Sequence, residues 1–217
     1  MKPPNQQMYL NTFLTYANGD RYEGAVAQSL TGIPVAHGHG TLKKLNGDYY
    51  VGQFYQGVQH GHGTSYTAST NRLYVGQFVN GQEQGWGTIT RTQNWCQLKY
   101  VGFVHNTIRH GHGTHTETDP YSRDTVIWEG TWNSDVLHGP GKVTRRHPTT
   151  GEMVRYKGNF VNGVLRGWVS CRSLTTGAIW NESYWDGRTG IFAGIYENDG
   201  NWKIRQELRY QDSVGTE

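Results

Sequence analysis

The chain has 217 residues, a net charge of +3 and a mean hydropathy of −0.72. Leu, Ile, Val and Phe together make up only about 19 %, while Gly (30), Tyr (14) and Trp (8) are plentiful. This balance excludes a thick aliphatic core and a membrane-spanning bundle, since no run approaches the ~20 apolar residues of a spanning helix. It suits a thin sheet held by rings packed on backbone.

In chain order, residues 1–21 read as an N-terminal arm and half-repeat. Residues 12–21 supply one strand that ends on the turn Asn18-Gly19-Asp20. The opening "MKPPNQQMYLNTF" has no apolar stretch of signal-peptide length, and we read a soluble, cytosolic protein. Cys96 and Cys171 share no motif spacing and read as two thiols in a reducing compartment.

From Tyr22 the chain repeats. "YVGQFYQGVQHGHGT" begins at Tyr50, "YVGQFVNGQEQGWGT" at Tyr74 and "YVGFVHNTIRHGHGT" at Tyr100. "WEGTWNSDVLHGPGK" begins at Trp128 and "YKGNFVNGVLRGWVS" at Tyr156. In all five the leading ring precedes the first residue of a Gly pair by eleven positions. A copy with an insertion starts at Tyr22 and a degenerate one at Trp180, so repeats occupy residues 22–190. A step of 24 to 28 residues fits two strands and two turns, one β-hairpin per repeat. Asn80-Gly81 and Asn162-Gly163 sit between the halves, where Asn-Gly is a strong hairpin signal. Segment 115–126, with Asp119-Pro120, reads as a surface loop.

Residues 191–217 read as a C-terminal cap. "NWKIRQELRYQ" alternates, with Trp202, Ile204, Leu208 and Tyr210 on one side. A closing strand is preferred and a capping helix is the alternative.

Strand alternation assigns the candidate residues. Tyr50, Gly52 and Phe54 share one face, and both glycines of "HGHG" share a face, with the histidines opposite. Rings then cover notches left by residues without a Cβ. The structural glycines are Gly38, Gly40, Gly52, Gly61, Gly63, Gly76, Gly85, Gly87, Gly102, Gly111, Gly113, Gly130, Gly139, Gly141, Gly158 and Gly167. The "HGHGT" at 37–41, 60–64 and 110–114 raises the question of zinc. A ligand should not be exchanged for Trp86, Pro140 or Trp168 while its motif persists, so no metal is expected.

These residues resemble the MORN repeat, with its pattern of aromatic, Gly, aromatic, turn Gly and then His-Gly-x-Gly. In one copy it is carried by Tyr50, Gly52, Phe54, Gly57, His60, Gly61 and Gly63. The likeness covers roughly residues 12–190. It implies an all-β fold, an elongated, twisted single-layer antiparallel sheet of successive β-hairpins with a groove along one side.

The repeats take up nearly all of the sequence, and no P-loop or Gly-x-Ser-x-Gly elbow appears. We therefore expect no enzyme, no catalytic residue and no cofactor. The resemblance implies a scaffold or adaptor, cytoplasmic, in a cytoskeletal or ciliary (axonemal) assembly. A partner helix or extended segment would lie in the groove on Tyr50, Phe54, Tyr74, Phe78, Trp128, Trp132, Tyr156 and Phe160. Open strand edges give a second route, including self-association. The alternative is a membrane-surface module for acidic phospholipids. Against it, Lys and Arg are scattered along the chain and no cluster of about four to eight appears. Nucleic acid is not expected, because the aromatics are not interleaved with a basic stripe.

Overall fold

Alternating rings and glycines punctuated by Asn-Gly turns give hairpin after hairpin. The structure is a computed structural model that describes residues 8–93, 95–122, 124–146, 151–185, 195–196 and 202–203. Packing divides the chain into two units, residues 1–109 and 110–217.

The first unit holds β1 (Met8–Thr15), β2 (Arg21–Gln28), β3 (Pro34–Lys43), β4 (Tyr49–Tyr55), β5 (Val58–Thr67), β6 (Arg72–Val79), β7 (Gln82–Gln93) and β8 (Cys96–His105). Each pairs antiparallel with the next. A single 3₁₀ turn, Ala68–Thr70, links β5 to β6. The second unit continues with β9 (Ile108–Thr118), β10 (Thr125–Asn133), β11 (Val136–Arg146), β12 (Met153–Val161), β13 (Val164–Ser173), β14 (Ile179–Trp185), β15 (Ile195–Tyr196) and β16 (Trp202–Lys203). These also pair in sequence order, all antiparallel. The protein is all-β, built of successive hairpins. The half-repeat strand lies further toward the N-terminus than 12–21, at Met8–Thr15. The loop read at 115–126 shrinks, because β9 runs to Thr118 and β10 starts at Thr125. Residues 204–217, which carry most of the expected C-terminal cap, lie outside the described residues.

The turns are tight and left-handed. Asn80 and Gly81 have φ of 50° and 81°, and Asn162 and Gly163 have 51° and 79°. Both central residues at positive φ is the type I′ geometry that matches strand twist. Several of these turns also grip the repeat before them. The N–H of Gly57 donates to Ala36 O (2.7 Å), that of Gly81 to Gln59 O (2.9 Å) and that of Gly163 to Leu137 O (2.9 Å). In the repeat that starts at Tyr100 the corresponding turn residue is Thr107, at φ 72°. A β-branched side chain is poorly accommodated there.

The core of the first unit is a chain of rings on one face of the sheet. Tyr22, Phe54, Tyr50, Phe78 and Tyr74 meet edge to face in that order, with centroids 4.8 to 5.2 Å apart. That geometry satisfies the ring quadrupoles. In the second unit the buried set is Trp132, Leu137, Val154, Tyr156, Phe160, Leu165, Val169 and Cys171.

Candidate functional site

The leading tyrosines are fixed at both ends of the side chain. Tyr50 Oη donates to Gln53 O (2.8 Å), Tyr74 Oη to Gln77 O (3.0 Å) and Tyr100 Oη to Phe103 O (2.9 Å). Each bond spans three residues along the same strand, and phenylalanine could not make it. Burial, partly offset by that bond, pushes the Tyr50 phenol up to about 12. Burial does the same to Tyr22, helped by neighbouring Tyr16, and to Tyr74, helped by the Glu83 carboxylate; both are pushed up to about 12.

The rings lie across the glycines. A Cβ at Gly52 would come 2.7 Å from Tyr50 Oη, and one at Gly63 would meet Cε2 and Cζ of the same ring at 2.5 Å. Gly87 is covered in the same way by Tyr74. The register lines these positions up. Gly24, Gly40, Gly52, Gly63, Gly76, Gly87 and Gly102 are successive cross-strand partners. In the second unit the row is Gly113, Gly130, Gly141 and Gly158.

The two glycines of each "GxG" do different jobs, which corrects the simple alternation expected from sequence. The register slips between Gly52 and Phe54, so three residues of β5 face one residue of β4. Gly61 sits in that bulge at φ 67°, and a Cβ there would strike the Gln53 side chain rather than a ring. Gln53 Oε1 accepts the N–H of His62 at 2.8 Å and seals the bulge. Gly38, Gly85, Gly111, Gly139 and Gly167 repeat the positive φ, from 61° to 81°. Backbone conformation selects the first glycine of the pair, and the covering side chain selects the second.

This packing overturns the assignment of the rings to a partner. Tyr50, Phe54, Tyr74, Phe78, Trp132, Tyr156 and Phe160 are at most 5 % exposed. They are the fold's own core and present no surface for an incoming segment. Polar substitutions at Phe54 and Phe78 would unfold hairpins rather than release a ligand. Trp128 is half-buried and lies 5.5 Å from the His115 ring. His115 in turn contacts Trp132 and places Nε2 3.1 Å from Glu117 Oε1.

One core position, nine residues after the leading ring, varies between repeats. It is Gln59, Glu83, Leu137 and Leu165, each paired across the hairpin with an aromatic residue. Glu83 is buried and doubly bound by Arg72, at 2.7 and 2.6 Å, and it accepts from Ser65 Oγ at 2.9 Å. Arg72 also donates to Thr107 O at 3.1 Å. Sequence reading passed over this cluster, because Arg72 and Glu83 become neighbours only through the register.

The outer face carries what the core does not use. His60, His62, His110, His112 and His138 are exposed, and His37 and His60 flank the Tyr55 ring at 5.3 and 6.0 Å. Among the described residues, no three His, Cys, Asp or Glu side chains gather as metal ligands would. In the first unit, Thr41, Val51, Thr64, Val75, Thr88 and Val101 form one cross-strand row. Next to it Trp86 and Phe103 pack edge to face at 5.3 Å while staying about half exposed. In the second unit, the corresponding row is Thr114, Glu129, Lys142, Lys157 and Ser170.

Hairpins in series, with side chains packed over a row of glycines and turns bonded back to preceding hairpins, define a β-hairpin repeat protein. Residues 50–72, 74–94, 100–116 and 128–146 match the family model of the MORN repeat. The chain carries four MORN repeats across residues 50–146. No curated protein matches the chain. No helix among the described residues is long and apolar enough to cross a membrane.

Proposed function

We propose that the protein is a non-enzymatic scaffold or adaptor that holds a protein partner in a cytoskeletal or ciliary assembly of the cytoplasm. The assembly and compartment follow from the resemblance to small proteins made of these repeats. The observation that carries the docking surface is the pair Trp86 and Phe103. Their rings touch each other and still leave about half of each exposed, beside the Val/Thr row of the first unit. Exposed aromatics that the core does not use are strong anchors, because they contribute large area at low entropic cost. The occupant is an amphipathic segment of the partner, its apolar side toward Trp86 and Phe103.

Affinity capture of the full chain from ciliated cells, with quantitative identification of what is recovered, tests this. Wild type should retain cytoskeletal or axonemal proteins, and Trp86→Ser/Phe103→Ser should lose them while keeping the far-ultraviolet spectrum of the sheet. Equal recovery by both proteins would remove the outer aromatic pair from the function. Turnover of a substrate by the purified chain would end the non-enzymatic reading.

A further inference from the structure

The second unit gathers cations that look scattered in sequence. On β11, β12 and β13 the residues on the face away from the core are His138, Pro140, Lys142, the buried Thr144 and Arg146, then Met153, Arg155, Lys157 and Asn159, then Arg166, Trp168, Ser170 and Arg172. None of these is acidic. The register sets Lys142 directly opposite Lys157 and Arg155 directly opposite Arg172. Like charges facing each other across strands destabilise a sheet, so this arrangement works against the fold. Arg146 is taken up by Asp124 (2.9 Å) and Lys142 reaches Glu129 (3.5 Å). Lys157, Arg166 and Arg172 are exposed and make no ion pair with another described residue. Trp168 stands 70 % exposed beside Lys157, Asn159 and Pro140 over a shallow depression.

We propose that this face of β11–β13 docks an acidic, extended polypeptide segment of a protein partner. The inference deepens the adaptor reading and rests on it in taking a protein as partner, but it uses a different surface. Arg155 and Lys157 are two residues apart on one strand, as are Trp168, Ser170 and Arg172 on the next. Carboxylates at alternate positions of an extended chain share that spacing of about 6.6 Å. Arginine forks take carboxylates bidentately, and an apolar residue of the segment would lie on Trp168. A single exposed aromatic gives neither the stacking series that single-stranded nucleic acid uses nor the apolar stripe that inserts into a bilayer.

The test is fluorescence anisotropy of the full chain with a labelled peptide of about a dozen residues that alternates Glu and Thr around a central Leu. Saturable binding should weaken about tenfold or more as salt rises from about 50 to about 500 mM. Lys157→Glu/Arg172→Glu should lose at least about tenfold in affinity and Trp168→Ala about threefold. Lys99→Glu and Trp86→Ser/Phe103→Ser, in the first unit, should bind as wild type. Circular dichroism confirms that each variant is folded. Absence of binding, or equal binding by the charge-reversed variant, overturns the proposal. So does tighter binding to an oligothymidylate of equal charge or to vesicles containing about 30 % phosphatidylserine. Partner capture by Trp86 and Phe103 without peptide binding would sink this inference alone. Peptide binding without any captured protein would sink the adaptor reading alone.

Discussion

The two units solve the same packing problem with different side chains. In the first, Tyr22, Tyr50 and Tyr74 lie across Gly40, Gly63 and Gly87, and the position nine residues on is polar, as Gln59 and Glu83. In the second that position is Leu137 or Leu165, and the leucine itself fills the notch. Leu137 Cδ1 would lie 3.0 Å from a Cβ on Gly130, and Leu165 Cδ1 would lie 2.9 Å from one on Gly158. A tyrosine anchored by its hydroxyl is rigid, whereas a leucine can change rotamer. The glycine row is therefore held under anchored tyrosines in one unit, whereas in the other Gly130 and Gly158 lie under leucines that can yield and Gly141 lies under the Phe160 ring. The outer faces differ too, with Val, Thr and a Trp–Phe pair in the first unit and facing cations in the second.

The largest expected effect probes the charged core of the first unit. Glu83→Ala leaves the half-buried Arg72 without its carboxylate and should destabilise by about 3–5 kcal/mol, read by urea unfolding. Arg72→Leu/Glu83→Leu copies the second unit and should recover most of that loss. If the double variant is as unstable as the single one, the leucine solution is not transferable. Next comes the rigidity of the lid. Gly63→Ala forces a Cβ into the Tyr50 ring and should cost about 3 kcal/mol, against about 1 kcal/mol for Gly158→Ala under Leu165. Equal melting-temperature shifts would erase the distinction between the units. A smaller change of opposite sign is expected at Thr107, whose φ of 72° suits glycine. Thr107→Gly should stabilise by about 1 kcal/mol on thermal unfolding. Smallest at neutral pH is the tyrosine effect. The folded phenols of Tyr22, Tyr50 and Tyr74 are raised to about 12 from 10.0. Their contribution to stability is full below pH 10 and is lost as pH rises through about 12. Tyrosinate absorbance should show these three titrating late, together with loss of the sheet.

Hairpins, turns and the ring–glycine pairing were legible because they repeat in phase at Tyr50, Tyr74, Tyr100, Trp128 and Tyr156. Three features were not. Whether rings on one face of a sheet are free or cover one another depends on how far side chains lean, and alternation does not encode that. The left-handed backbone of Gly61 and Gly85 is invisible to a period-two reading, since the bulge breaks the period where the glycine sits. The cations Lys142, Arg155, Lys157, Arg166 and Arg172 span thirty residues of chain, and only strand register makes them neighbours.

The amide bonds from these turns to the hairpin before them have a direction. The acceptors Ala36, Gln59 and Leu137 precede their donors Gly57, Gly81 and Gly163 in the chain. During synthesis every acceptor is out of the ribosome before the donor that needs it. Growth can thus proceed as a zipper running from the N-terminal end, each finished hairpin serving as the template on which the next one closes.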